Sequence, residues 1–494
     1  MPVLLVGVEP EVRLLERQLD LAERAQSVVG VVIAGAGAGR QIQSAVDAGL
    51  VDLAILTAPR GRRLELADAR AVLDRLGVPT RFVAPLAEQV DGRAEPRQKS
   101  RGVDAETLDL AALVGREPHA IDRELVGSII RGKTVLVTGA GGSIGSELVR
   151  ICASFGPSRL VMMERAENAL FEIDRTMGSR FPALDRVALL HDVVEAERTL
   201  ELVKRFRPDV VFHAAAHKHV PLMEDHPAHA LTNNLFGSKS IADAAVAAGA
   251  GRFVLISTDK AVRPSSVMGA TKRLAERYVQ GLAANPDVST RMSMVRFGNV
   301  LGSSGSVLTI WGAQLAEGGP LTVTDERMTR YFMTINEAAS LVVQAAAFSG
   351  TNEDGHSGEV FVLDMGAPVR ILDLVARFAM ASGYTPVLAG RQPPQTDCPI
   401  VEIVLTEARP GEKLHEQLAY RAEQLAPTAH PGIRALATAQ APDQKQLANM
   451  IAEMDPLRAC PDRLPVLEAI RRHVPDISPG GELGRLLTGP ADAA

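Results

Sequence analysis

Residues Thr138-Gly139-Ala140-Gly141-Gly142-Ser143-Ile144-Gly145 stand between the apolar run Thr134 to Val137 and a helical pattern that starts at Ser146. Glycines at this spacing suit a phosphate cradle. Gly139 lets the chain turn tightly, Gly142 lets backbone approach a pyrophosphate, and Gly145 lets the helix pack close to its strand, while the helix N-terminus supplies oriented N–H groups. Glu164 lies 19 residues beyond Gly145, at the end of a second apolar run from Leu160 to Met163, where a carboxylate can accept a ribose hydroxyl. Strand, loop, helix and acid together meet the context of a dinucleotide site. Glu164 favours a free ribose 2′-hydroxyl and hence NAD, whereas Arg165 beside it keeps NADP open.

Three more apolar runs end in polar clusters: Phe212-His213-Ala214-Ala215-Ala216-His217-Lys218-His219, Ser257-Thr258-Asp259-Lys260 and Arg296-Phe297-Gly298-Asn299. In open α/β sheets ligands bind outside the carboxyl ends of the strands, so the chemistry is expected at these clusters. His213, His217 and His219 fall within seven residues. His213 ends an apolar strand, however, and no cysteine or carboxylate motif completes a ligand set, so no metal centre is expected.

The elements that must position these residues form two alternating strand–helix series. The first expects strands over 3–8, 28–34, 51–57 and 80–83, with helices over 10–25, 38–49 and 63–76. Its first turn, Gly7-Val8-Glu9-Pro10-Glu11, carries acids and a proline where a phosphate loop needs glycines and free N–H groups, so it reads as structural or regulatory. Residues 86–125 are polar and irregular and read as a linker. The second series expects strands over 134–138, 159–163, 187–191, 209–213, 252–257 and 291–297 separated by helices, the largest over 228–248. Right-handed crossovers then give an α/β, doubly wound parallel sheet at about 130–300. Shorter glycine-rich elements over about 300–440 suit a smaller substrate-binding lobe, and 441–494 reads as a helical tail.

At 494 residues, with 46% apolar and 23% charged side chains, the chain is globular and divides into several domains. A formal charge of −6 offers no footprint for nucleic acid. Cys152, Cys398 and Cys460 have no paired spacing, which argues against a disulfide framework and fits a reduced cytoplasmic compartment. No basic segment leads into a cleavable apolar stretch and no uncharged apolar run reaches about 18 residues, so neither export nor a membrane span is expected.

The ordered motifs Ala214 to Glu224, Ser257 to Val262, Met268-Gly269-Ala270-Thr271-Lys272-Arg273, Arg296 to Ser303, Met328 to Met333 and Arg409-Pro410-Gly411-Glu412-Lys413 resemble the extended short-chain dehydrogenase/reductase superfamily. Within it they are similar to the nucleotide-sugar 4,6-dehydratases of bacterial polysaccharide and glycan synthesis. The resemblance runs from about Glu117 to Leu418. It implies a Rossmann sheet over the second series, with a second small Rossmann-like domain ahead of it. It also implies Asp259 as acid, Lys260 as base with a lowered pKa, and Thr258 on the sugar 4-hydroxyl. Lys272, Asp192, Asn234, Ala214 and Ala215 are implied beside the cofactor. His217, Lys218, Arg296, Asn299, Arg330 and Arg409 are implied on the side of a UDP-sugar.

One departure is informative. Superfamily members usually carry Tyr-x-x-x-Lys, but this chain has Met268 four residues before Lys272, and methionine is neither acid nor base. The resemblance places such a chain in the branch of dehydratases that retains configuration at carbon 5. The implied activity is an NAD-dependent UDP-N-acetylglucosamine 4,6-dehydratase, a homo-oligomer feeding surface glycan synthesis. The alternatives are an inverting dehydratase, a nucleotide-sugar 4-epimerase, or a nonenzymatic dinucleotide-sensing module.

Overall fold

A computed structural model describes residues 2–21, 28–34, 37–48, 51–58, 66, 69, 72, 73, 75, 76, 78–83, 110–116, 118–349, 358–394, 399–407, 411–419, 425–436, 441–474 and 476–478. The chain divides into two compact units, Met1–Lys99 and Ser100–Ala494.

In the first unit β1 (Val3–Gly7), β2 (Val28–Ile33), β3 (Leu53–Thr57) and β4 (Thr80–Phe82) form a parallel sheet in the order β2-β1-β3-β4. Alternate residues of β1 serve opposite faces, Leu4 and Val6 packing with Ile42 and Leu73, and Val3 and Leu5 with Val12. The helix expected over 63–76 falls largely outside the described residues.

The second unit is built on nine strands: β5 (Thr134–Thr138), β6 (Arg159–Glu164), β7 (Arg186–Leu190), β8 (Val210–His213), β9 (Arg252–Ile256), β10 (Arg291–Arg296), β15 (Glu359–Leu363), β19 (Leu425–Pro427) and β20 (Ile433–Leu436). Their order is β19-β20-β15-β10-β9-β8-β5-β6-β7. All pairs from β15 to β7 are parallel, while β20 and β19 add antiparallel. The order reverses between β5 and β8, and this switch point is where the ends of neighbouring strands open a crevice. Both faces are covered, which is why the inner strands read as continuous apolar runs. Helices Ser143–Ser154, Glu167–Arg180 and Ile335–Phe348 bury one face, and Ala196–Phe206, Gly237–Ala247 and Val267–Ala283 the other.

The lobe holds β12 (Leu321–Val323), β17 (Thr385–Leu388) and β18 (Ile400–Leu405) in the parallel order β12-β18-β17, packed by helices Val307–Glu317 and Ile371–Ala381 around Trp311 and Phe378. Two short ladders stitch it to the sheet ends. In them β11 (Asn299–Leu301) pairs with β14 (Phe332–Thr334), and β13 (Thr329–Arg330) with β16 (Val369–Arg370).

One boundary differs from the sequence reading. The linker expected over 86–125 ends early, because Leu110 and Leu113 pack in the lobe core and Arg116 forms an ion pair with buried Glu337 at 2.8 Å. Residues 441–474 hold the helices expected of the tail, Gln444–Met454 and Arg463–His473, and they pack into the unit. Leu447, Met450, Val466 and Ile470 bury against Val267, Met268 and Leu274 of the long helix beside the sheet. The helix expected over 228–248 contains a π-helical stretch, Leu231–Phe236, between two α segments.

Candidate active site

The loop after β5 shows why glycine stands where it does. Gly139 has φ +65°, and a Cβ there would lie 2.7 Å from the Ala215 nitrogen. A Cβ on Gly145 would lie 1.9 Å from the Gly139 carbonyl oxygen, so any side chain would push helix from strand. Gly142 caps helix Ser143–Ser154 without a side-chain bond, which leaves first-turn N–H groups for an anion. The cradle therefore fits a dinucleotide pyrophosphate. Glu164 braces it by accepting from the N–H groups of Gly141, Arg165 and Ala166 at 3.2, 2.9 and 3.0 Å. Glu164, Asp192, Ala214 and Ala215 line a recess of about 500 Å³, and Arg165 there reaches Asp192 at 3.5 Å and Asn233 at 3.2 Å.

A larger cleft of about 590 Å³ adjoins this recess, and Gly142, Ala214, His219 and Ser304 line both. A strap crosses the junction. Lys218 Nζ donates to the Ser304 carbonyl at 2.6 Å, and the Ser304 N–H donates to Ser143 Oγ at 3.1 Å. Ser143, Ile144, Gly145, His217, Thr258, Lys260, Met268, Lys272 and Asn299 all line the cleft. Met268 and Lys272 share a face of helix Val267–Ala283 because they are one turn apart, and Ser266 starts that helix by accepting from the Gly269 N–H at 3.2 Å. Asn234, inside the π stretch, accepts from the His217 N–H at 2.8 Å and donates to the His217 carbonyl at 3.2 Å and Thr271 Oγ1 at 3.1 Å. It shapes the wall of the cleft rather than touching its contents. π-Bulges often occur at functional sites.

The turn after β9 carries Thr258, Asp259 and Lys260. Thr258 caps it by accepting from the Lys260 N–H at 3.3 Å. Asp259 Oδ1 accepts from Thr258 Oγ1 and Lys260 Nζ, both at 3.0 Å, and Lys260 Nζ also donates to Asn299 Oδ1 at 3.0 Å. Asp259 is 0% exposed and does not line the cleft; it reaches the cleft through Thr258 and Lys260. Burial raises the proton affinity of its carboxyl, opposed by Lys260 and reinforced by Glu416.

Several expectations are corrected. A lowered pKa was expected for Lys260; burial does push it down, but the carboxylates of Asp259 and Glu416 outweigh burial and the net shift is upward. Burial takes Lys272 down to about 8 instead, and it also lowers Lys218 and Lys413. Arg296 was expected to face a nucleotide sugar. It is 0% exposed and spends its guanidinium on Glu276, Nε to Oε1 at 2.7 Å and a second nitrogen to Oε2 at 2.8 Å. Thr138 turns its hydroxyl to His213 Nδ1 at 2.7 Å instead of to the cofactor loop. Arg330 is buried, donates to the carbonyls of Thr329 and Leu414 at 2.8 and 3.2 Å, and does not line the cleft. Arg409 lies outside the described residues.

His213 is held between Thr138 and Ser238, and burial takes its pKa down to about 3, so the ring is neutral. Among the described residues no histidine, cysteine or carboxylate group gathers as a metal site, and no helix is long and apolar enough to cross a membrane. Glu416 and Asn233 were missed by sequence reasoning. The motif ending at Lys413 marked the neighbourhood of Glu416, but nothing in its spacing shows that it folds back onto Lys260.

Comparison with known proteins adds to this geometry. Residues 135–438 match the family model described as "Polysaccharide biosynthesis protein". Over 405 residues the chain is 42% identical to the probable polysaccharide biosynthesis protein EpsC of Bacillus subtilis (strain 168), an alignment covering 80% of this chain and 63% of that protein. The chain thus spans less than two thirds of that relative's length. It is 30% identical over 293 residues to the UDP-N-acetylglucosamine 4,6-dehydratase (inverting) of Campylobacter jejuni subsp. jejuni serotype O:23/36, covering 58% of this chain and 78% of that one. The solved structure of Pen from Bacillus thuringiensis superposes with a TM-score of 0.54 at 26% identity, over 66% of this chain and 99% of that one. The matched span holds the phosphate cradle, the turn after β9 and the helix bearing Lys272, and the chain belongs to the polysaccharide biosynthesis protein family, related to nucleotide-sugar 4,6-dehydratases.

Proposed function

We propose that this protein is an NAD-dependent UDP-N-acetylglucosamine 4,6-dehydratase that retains configuration at carbon 5, acting in the synthesis of a surface polysaccharide or glycan. The observation that carries this reading is the convergence of Thr258 and Lys260 on one cleft, with Asp259 bonded to both from behind, and with Met268 lining the same cleft in place of a proton-bearing tyrosine. No tyrosine lines that cleft among the described residues.

A bound nicotinamide dinucleotide would supply hydride acceptance from carbon 4 and hydride return to carbon 6. The residues of the chain handle the protons. Once carbon 4 is a ketone, the proton on carbon 5 is acidic, and Lys260 in its neutral form can remove it. The electron pair left on carbon 5 forms the 5,6 double bond as the carbon 6 hydroxyl departs, and Asp259 supplies the proton that makes it water, by way of Thr258 or Lys260. The proton lost from the 4-hydroxyl passes through Thr258 to the Asp259 carboxylate and replaces the one carried off in water. Lys260 then returns its proton to carbon 5 on the face it came from.

Glu164 at the recess supports NAD, since a carboxylate there favours a free ribose 2′-hydroxyl. The purified protein is expected to carry the dinucleotide unaided, because a cofactor regenerated in each turnover need not leave. Gly145→Ala, whose methyl would meet the Gly139 carbonyl, is expected to lose it. Mass spectrometry of nucleotide released from both proteins checks this, and no dinucleotide in wild type even after titration overturns it.

Stereochemistry separates the retaining from the inverting reading. Turnover of UDP-N-acetylglucosamine in deuterated water, followed at once by NMR, is expected to give the D-xylo 4-keto-6-deoxy sugar with at most one solvent deuterium, at carbon 5. An L-arabino product from fresh enzyme would make the protein an inverting dehydratase, and a 4-epimer would make it an epimerase.

A further inference from the structure

We infer that Glu416, which no motif or mechanism above employs, is a positioning residue that sets the pH range of the Asp259–Lys260 pair by placing a fixed negative charge against it. The inference rests on the dehydratase reading of that pair. Glu416 comes from the segment 411–419, more than 150 residues beyond the turn it approaches, and its side chain is 3% exposed. Its Oε1 lies 3.9 Å from Lys260 Nζ, and its Oε2 lies 3.6 Å from Lys413 Nζ. Lys413 is anchored by donating to the Val262 carbonyl at 2.8 Å, so the carboxylate is held from behind. Asp259 and Glu416 thus flank one ammonium.

Two oxygens make the arrangement unusual. Asp259 Oδ2 is buried with no hydrogen-bond donor among the described residues, and Glu416 Oε2 is buried 3.6 Å from Lys413 Nζ. Leaving a buried carboxylate oxygen unsatisfied disfavours the ionised form, and with burial this raises the proton affinity of Asp259. The other charges facing it are Arg330, from β13, and Lys413, while Glu224 lies at the far side of the same segment, 3.2 Å from the Cβ position of Gly411. Arg330 opposes protonation of Lys260, and Glu416 favours it.

The consequence follows from counting protons on the pair. Elimination needs one proton shared by Asp259 and Lys260, since the acid must hold one and the base must be free. The doubly protonated pair has no base, and the empty pair has no acid. The two steps between these forms belong to the pair as a whole. A negative charge beside it raises both steps, so Glu416 moves the entire bell-shaped pH profile upward. A group that only supported the fold would change the height of the bell and leave its position alone.

The experiment compares wild type, Glu416→Gln and Glu416→Asp as full-length proteins. With UDP-N-acetylglucosamine, both limbs of the kcat profile of Glu416→Gln are expected to move to lower pH by about one unit or more, as suits a charge about 4 Å away in a medium of effective dielectric ~20 and partly offset by Lys413. Glu416→Asp, which keeps the charge, is expected to restore the position. The protonated-carboxyl infrared band that disappears in Asp259→Asn provides a readout independent of turnover, and in Glu416→Gln it is expected to vanish at lower pH than in wild type. If wild type forms no 4-keto-6-deoxy sugar, the dehydratase reading fails and the infrared titration still decides the role of Glu416. A profile and a band that both stay in place while kcat merely falls overturn the inference.

Discussion

Asp259→Asn is expected to lower formation of the 4-keto-6-deoxy sugar by at least about a hundredfold, the low end for loss of a general acid–base group, while UDP-sugar binding stays within a few-fold of wild type. Asparagine keeps the size of the side chain and can still accept from Thr258. It cannot carry the proton that leaves with the carbon 6 oxygen, and it removes the carboxylate that Lys260 contacts at 3.0 Å. Because Asp259 is buried behind Lys260 and outside the cleft lining, substrate affinity should be nearly unaffected. Product analysis by NMR and calorimetric titration with UDP-N-acetylglucosamine test the two halves separately. Turnover like wild type would remove Asp259 from the mechanism.

Glu276→Gln is expected to destabilise the second unit by about 3–5 kcal/mol, the range for breaking a buried ion pair from one side. Glu276 is fully buried and receives Arg296, Arg273 and the Ser257 hydroxyl, the last at 2.6 Å. Glutamine would put a neutral amide beside a buried guanidinium. Burial alone would raise the Glu276 pKa, but Arg296 and the other donors hold it down at about 2, against an ordinary 4.5. Since the folded value lies below the unfolded one, the stabilisation is complete above about pH 4.5 and fades as pH falls toward 2. The gap between wild type and variant should therefore be flat at neutral pH and narrow in acid. Trp311, the single tryptophan of the chain and buried in the lobe of the same unit, reports unfolding by its fluorescence in urea. A gap below about 1 kcal/mol at pH 7 would show that the pair is dispensable.

The strands of both sheets were legible because each is an apolar run punctuated by turn residues, and β5 to β10 differ from their expected limits by a residue or so. The parallel order was legible because each run is followed by a helical pattern. β19 and β20 were not, since three or four residues with no crossover helix acquire their strand character only from a partner edge, that of β15 for β20 and that of β20 for β19. Arg296 shows the same limit inside the site. It lies at the end of a strand buried on both faces, and which face it takes depends on Glu276, twenty residues earlier on a neighbouring helix. Asp259 and Lys260 were visible as adjacent letters, but the direction of the Lys260 shift was not. It is set against burial by Asp259 together with Glu416, and nothing local connects Glu416 to them. The glycine cradle needed no such partner, because its constraint is the backbone itself.

The helix that carries Met268 and Lys272 has a bearing on when, during synthesis, the site can exist. Its outer face is covered by Leu447, Met450, Val466 and Ile470, which a ribosome adds some 180 to 200 residues after Met268. The glycine loop and the strands around it are made far earlier, within Thr134 to His213. The wall of the cleft that bears Met268 and Lys272 is thus completed last, long after the glycine loop and its strands have been made.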